Sequence, residues 1–463
     1  MKNSKAYIWS FVGKFGGQLL FLLTTLILAR LLSPDDFGII GVLSVIFMVA
    51  NTLSESGLGG ALLMEKELNE TNCSTIFVFN ASVSAILYTI IFFSAPLIEV
   101  FYNIDGLSKI ARLLGLVFVI NSWGLVPRTV LLFKLQFKRL AIITLVGVIC
   151  ASTISIVMAL MKLGVYALVG YQLSLAILTT ILLVYNSHYK YSFSFNFDSF
   201  KRMFSFGLFT TITGVIDTIY ENMMAAVFGK FMNVTQAGYL TQAKKIEEAS
   251  SQALILTINT TSFPILSKLK DDIEIFKKEA NALQKTIPLV IGPLLVILCV
   301  YSDLIISLLF GEKWIESASY LSLLVIAGYF MMNESINRNF IKSLGEVKRL
   351  LHYTMIKRLF GILLILALAF VNVDYILIGY IVSSFIAFLI NSCLYANIIK
   401  DKCLSTIWSS LKYQLSIIPT GIVVFIVHSY SPNWIFEILS LLIIIALYLF
   451  MIKKLGVSIK YKR

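Results

Sequence analysis

Residues 28–64 read LARLLSPDDFGIIGVLSVIFMVANTLSESGLGGALLM, and residues 228–264 read FGKFMNVTQAGYLTQAKKIEEASSQALILTINTTSFP. Set 200 positions apart, Arg30 falls on Lys230, Gly38 on Gly238, Leu58 on Ile258 and Ala61 on Thr261. A second pairing, at an offset of 210, lays residues 118–140 on 328–350, with Arg128 on Arg338 and Lys138-Arg139-Leu140 on Lys348-Arg349-Leu350. A third, at 209, brings Tyr166, Leu168, Gly170 and Tyr171 onto Tyr375, Leu377, Gly379 and Tyr380. Three matches in one order, with offsets that hardly drift, describe a duplicated unit of about 200 residues.

The duplicated unit reads as a membrane unit. Hydrophobic residues make up 58% of the 463 and charged residues only 14%, against roughly a quarter charged in soluble domains. The apolar residues fall in stretches near the ~20 residues that span a ~30 Å hydrocarbon core as helix. Fourteen spans are expected: 7–30, 37–62, 75–98, 108–132, 140–161, 165–186, 203–228, 237–263, 284–309, 317–338, 354–372, 374–397, 411–430 and 434–452. The fold class is thus an all-α polytopic membrane protein. An N-lobe (1–186, spans 1–6) is followed by a linker (187–202), a C-lobe (203–397, spans 7–12), and two further helices with a basic tail (398–463). An even number of spans per copy gives both lobes one orientation, so a pseudo-two-fold axis along the membrane normal is expected, with a substrate path between the lobes.

Lysine and arginine set the orientation. With the N-terminus inside, most of the 38 basic residues fall in cytoplasmic loops and tails, including Lys134 to Arg139, Lys268 to Lys285, Arg338 to Arg358 and Lys453 to Arg463. Both termini are therefore expected in the cytoplasm. The net charge of +13 follows from the same loops; because it is spread rather than gathered on one patch, it excludes a nucleic-acid partner. The apolar run after Lys2 and Lys5 is interrupted by Lys14 and lacks a small-residue cleavage site, so it is a span and not a signal peptide. Cys73, Cys150, Cys299, Cys393 and Cys403 show no CxxC or paired spacing and read as packing residues without metal or disulfide roles. His188, His352 and His428 are isolated, and no P-loop, GxGxxG, GxSxG or HExxH occurs. No cofactor, metal or catalytic nucleophile is expected, which points to a transporter rather than an enzyme.

Charge inside a span costs ~2.5–3.5 kcal/mol on insertion scales and persists where it faces water or a partner. Candidate cavity residues are Lys14 in span 1, Glu55 in span 2, and Asp217 with Glu221 one turn apart in span 7. Span 8 adds Lys244, Lys245, Glu248, Ser251 and Gln252, most of them on one helical stripe, and span 10 adds Glu334 and Arg338. Plainer readings stand beside these. Lys244 and Glu248 are spaced for an intrahelical pair, Lys14 and Asp217 could lock the lobes, and Arg128 and Arg338 could reach the interface from span ends. Asp217 and Glu221 could bind Na+ or H+, or counter a lysine.

Ala29-Arg30-Leu31-Leu32-Ser33-Pro34-Asp35-Asp36-Phe37-Gly38, followed by Leu53-Ser54-Glu55-Ser56-Gly57-Leu58-Gly59-Gly60-Ala61-Leu62, resembles the opening of the polysaccharide flippases in the multidrug/oligosaccharidyl-lipid/polysaccharide exporter superfamily. Phe133-Lys134-Leu135-Gln136-Phe137-Lys138-Arg139-Leu140-Ala141 is similar to that family's cytoplasmic segment after span 4. Gly238-Tyr239-Leu240-Thr241-Gln242-Ala243-Lys244-Lys245 is similar to its span 8 opening, where a basic residue is usual. The resemblance covers the whole chain. It implies a bacterial inner-membrane flippase that carries undecaprenyl-pyrophosphate-linked oligosaccharide from the cytoplasmic to the periplasmic leaflet, for O-antigen, capsule or exopolysaccharide assembly. Lys244 and Lys245 are then expected at the pyrophosphate. The implied partners are the lipid-linked glycan, the bilayer, and a polysaccharide polymerase and glycosyltransferases of the same pathway, with the carrier itself a monomer. The competing reading is a cation-coupled multidrug exporter of the same superfamily, which usually has a span 1 carboxylate; here span 1 offers only Lys14 as a charge.

Overall fold

The computed structural model describes residues 2–55, 62, 68–372 and 375–411. Its elements run α1 (Lys2–Leu31), α2 (Pro34–Glu55), α3 (Glu70–Tyr102), α4 (Leu107–Phe133), α5 (Phe137–Leu160), α6 (Val165–Ser187), α7 (Phe197–Phe231), α8 (Val234–Lys268), α9 (Ile273–Val300), α10 (Ser302–Phe310), a 3-10 turn (Glu312–Trp314), α11 (Ser317–Ser343), α12 (Val347–Val371), α13 (Tyr375–Ile398) and α14 (Cys403–Leu411). No strand occurs among the described residues. Among the described residues eight helices, α1–α6, α12 and α13, are long and apolar enough to cross a membrane. The expected spans 13 and 14 lie outside the described residues, apart from Leu411.

Local chemistry sets the helix boundaries. The Ser33-Pro34-Asp35-Asp36 stretch is a cap: Ser33 N–H and Oγ donate to Asp36 Oδ2 at 2.9 and 2.8 Å, and Asp36 N–H donates to Ser33 Oγ at 3.3 Å. Pro34 then occupies the first helical position, where its missing N–H is no loss. Asn69, Asn196 and Asp272 cap α3, α7 and α9, accepting from Asn72, Ser199 and Ile275 N–H. Within α4, Pro127 cannot donate to the carbonyl of Trp123, and the Tyr191 hydroxyl takes that carbonyl at 2.7 Å.

The chain divides into two compact units, 1–241 and 242–463. In the first, α3 packs on α4, α5 on α6 and α1, α4 on α6, and α2 on α7. The N-terminal ends of α2 and α8 meet reciprocally. A Cβ on Gly38 would collide with the carbonyl of Val234, and one on Gly238 with the carbonyl of Pro34. Thr235 Oγ1 donates to Asp35 Oδ1 at 2.5 Å. Each contact joins residues near i with residues near i+200, the pattern that a local two-fold axis imposes on two copies of one segment. In the second unit α11 packs on α13 and α9, and α13 on α12. Cys393 and Cys403 form a disulfide there, with Cα atoms 4.7 Å apart. This corrects the expectation that the cysteines only pack: the turn between α13 and α14 brings together two thiols ten residues apart, which sequence spacing alone did not pair.

Candidate functional site

The first unit carries two adjoining, half-open cavities. One, of about 430 Å³, lies among α2, α3, α4, α5 and α6. On α4, Phe118, Asn121, Ser122, Leu125 and Arg128 recur at helical spacing and share its wall. Gln172, Thr179 and Thr180 face it from α6, Thr144 from α5, Asn51 and Ser54 from α2, and Asn80 from α3. The other cavity, of about 470 Å³, is walled by α1, α4, α5 and α6 and holds Trp9, Lys14, Gln18, Phe21, Arg128 and Tyr171. Arg128, Leu140, Thr144, Val148 and Leu175 line both, so Arg128 stands at the junction of a carboxamide chamber and a cationic one. Among the described residues neither lining contains a carboxylate.

The hydrogen bonds explain which groups remain available. Asn80 donates to the carbonyl of Ser54. The hydroxyls of Thr144 and Thr179 donate to the carbonyls of Leu140 and Leu175 at 2.9 and 2.6 Å, and Thr180 to Ile120 at 3.3 Å. These bonds use the hydroxyl protons and leave oxygen lone pairs to accept. Asn121, Gln172, Lys14 and Arg128 have no side-chain partner among the described residues. In a membrane such groups persist only where water or a ligand meets them. Lys138 Nζ lies 5.4 Å from the ring centroid of Trp9, a cation–π contact beside the cationic chamber.

Of the candidates read from sequence, Lys14 lines the cationic chamber. Asp217 is half-buried and Glu221 exposed on α7, and neither belongs to the two linings; the neighbouring Thr218 hydroxyl lies 3.0 Å from that of Thr52 on α2. Lys244 and Glu248 make the intrahelical pair at 3.4 Å, with Lys245 half-buried beside them. The side chains of Glu55, Ser251 and Gln252 lie outside the described residues. Glu334 and Arg338 belong to a different constellation. The Glu334 carboxylate, 1% exposed, accepts from Arg338 at 2.7 Å, from Asn391 at 2.7 Å and from Lys357. Lys357 also donates to Asn391 Oδ1 at 3.0 Å, and Asn337 joins Gln284 and Ser392 at 2.9 Å each.

Sequence reasoning did not single out the four amide side chains, or Arg128, Lys357 and Arg358, as candidates. Arg128 read equally well as an interfacial arginine. Lys357 and Arg358 were counted with a cytoplasmic loop, whereas α12 begins at Val347 and buries them to 2% and 1% exposure. A signal was available: Asn51, Asn80, Asn121 and Gln172 stand in otherwise apolar spans and, like the charges, need a wet or paired environment.

The model of the family described as polysaccharide biosynthesis protein matches residues 27–319. The chain belongs to that family. It is 25% identical over 304 residues to the lipopolysaccharide biosynthesis protein WzxC of Escherichia coli, an alignment covering 65% of this chain and 62% of that protein. With the teichuronic acid biosynthesis protein TuaB of Bacillus subtilis it shares 25% identity over 81% of this chain and 78% of the relative. Among solved structures, the lipid II flippase MurJ in its inward closed conformation superposes with a TM-score of 0.76 at 17% identity, over 97% of this chain and 99% of that one. An inward-facing multidrug resistance MATE family transporter of the MOP superfamily superposes at 0.64 with 16% identity, over 83% and 96%. Both likenesses speak for the fold.

Proposed function

We propose that this protein is a bacterial inner-membrane flippase that moves a pyrophosphate-linked oligosaccharide on an undecaprenyl carrier from the cytoplasmic to the periplasmic leaflet, and that it acts by binding and not by catalysis. The observation that carries this reading is the pair of cations, Lys14 and Arg128, on the walls of adjoining polar cavities where, among the described residues, they have no side-chain partner and meet no lining carboxylate. A pyrophosphate diester bears about two negative charges and needs cationic donors, and an arginine fork matches phosphate oxygens. A lipophilic drug cation would be repelled by the same lining. The relatives named for lipopolysaccharide and teichuronic acid biosynthesis support the glycan class.

Two six-helix lobes, 1–186 and 203–397, working by alternating access with both termini in the cytoplasm, complete the proposal; the sequence repeat and the reciprocal α2–α8 contacts support it. Lys244 and Lys245 remain proposed as a second cationic contact. The test is complementation of a deletion strain. Lys14→Ala with Arg128→Ala should abolish surface polysaccharide and accumulate lipid-linked repeat units on the cytoplasmic face, with the variant present at normal level in the membrane. Normal surface glycan together with altered resistance to lipophilic cations would sink the flippase reading and favour the drug exporter.

A further inference from the structure

A carrier of a lipid-linked glycan needs to hold two unlike parts of one head group, an anion and a sugar. The two chambers differ in the same sense. The cationic chamber offers Lys14 and, at its junction, Arg128. The other offers the carboxamides of Asn121 and Gln172 on facing helices, both without a protein partner among the described residues, with threonine oxygens between them. A carboxamide donates through its nitrogen and accepts through its oxygen, which is what hydroxyls and acetamido groups need; it gives nothing to an isolated charge. At about 430 Å³ the chamber far exceeds the room for a single water and falls within the range that encloses small organic ligands. Arg128 stands where a phosphate attached to the sugar would have to pass from one chamber to the other.

We infer that the carboxamide chamber is a sugar subsite that receives the pyrophosphate-linked sugar, selecting an uncharged one bearing hydroxyl or acetamido groups, with Asn121 and Gln172 as its specificity-determining residues. The inference rests on the flippase reading, which supplies the anion for Lys14 and Arg128. Free ammonium sugars are disfavoured because Arg128 faces them and, among the described residues, no lining carboxylate offsets it.

The experiment measures affinity of the full-length protein in lipid nanodiscs for two probes, farnesyl pyrophosphate and farnesyl pyrophosphate carrying one N-acetylglucosamine. The native protein should bind the glycosylated probe more tightly. Asn121→Leu and Gln172→Leu should each weaken that probe about 10-fold, the loss expected when a buried hydrogen-bonding partner is removed, and leave the sugarless probe unchanged. Lys14→Ala and Arg128→Ala should weaken both probes. Equal native affinity for the two probes, or leucine variants that weaken both alike or neither, would overturn the sugar subsite while leaving the flippase reading standing. Cation variants that change neither probe would instead remove the flippase reading's anion site. If the leucine variants do not fold, Asn121→Ser and Gln172→Ser must show the same selective loss.

Discussion

Replacing Glu334 by Gln tests the buried network of the second unit with almost no change in shape. The carboxylate is 1% exposed and faces Lys357 at 2% and Arg358 at 1%, with Arg338 one turn along α11. One anion thus stands among three cations. Arg338 retains 25% side-chain exposure and shares its charge with solvent; Lys357 does not. Glutamine keeps the bond to Asn391 and deletes only the charge, removing the anion that Lys357 and Arg338 contact. Removing one partner of a buried ion pair costs about 3–5 kcal/mol; the low end, about 3 kcal/mol, applies because Arg338 can turn toward water. The assay is the midpoint of thermal unfolding of the purified protein. Adding Lys357→Met to Glu334→Gln restores the native excess of two cations, and the double variant should recover more than half of the loss. A single variant as stable as the native protein, or losses that simply add in the double variant, would refute the electrostatic account.

Gly238→Ala should be more harmful than an ordinary helix substitution, since its methyl meets the Pro34 carbonyl and not a yielding side chain; a loss of about 1–3 kcal/mol in unfolding measurements is expected. Ser33→Ala removes the reciprocal cap of α2 and should lower stability by about 1 kcal/mol in the same assay. Arg128→Lys should retain more surface polysaccharide than Arg128→Gln in the complementation assay, because charge is kept while the planar fork is lost.

The fold was legible because the bilayer writes it directly into composition. Helices overlie the first twelve expected spans wherever residues are described, eight of them long and apolar enough to cross a membrane, and Gly38 and Gly238 approach the partner segments reciprocally. The site was legible only in part. Lys14 stood out because a lone charge in an apolar run needs water or a partner, and the side chain lines the cationic chamber. Asn121 and Gln172 were passed over because a carboxamide can satisfy itself on its own helix, as Asn186 and Asn222 do by donating to the carbonyls of Leu182 and Thr218. Whether an amide is spent locally or offered to a cavity depends on which face of the helix looks inward, and apolar spans with lipid on one side and protein on the other carry little periodicity to tell. Lys244 illustrates the converse: its stripe on span 8 suggested a cavity, and the side chain pairs with Glu248 on the same helix.

The two segments that the sequence repeat aligns differ at corresponding places. At the offset of 210, Arg338 falls on Arg128 and Thr354 on Thr144, so the polar frame is common to both. Glu334 falls on Gly124, Lys357 on Gly147 and Arg358 on Val148. Gly124 and Val148 line the carboxamide chamber, whereas their counterparts bring a carboxylate and a guanidinium into the buried network of α11, α12 and α13. The second copy therefore carries its own anion, Glu334, in the grip of Arg338. In the first segment the equivalent Arg128 has no side-chain partner among the described residues. An internal ion network such as that of Glu334 turns a costly polar space into a rigid packing element. Glu334 thus shows, within one chain, what an arginine at this place in the frame can hold: a negatively charged oxygen group, supplied in the second segment by the protein itself.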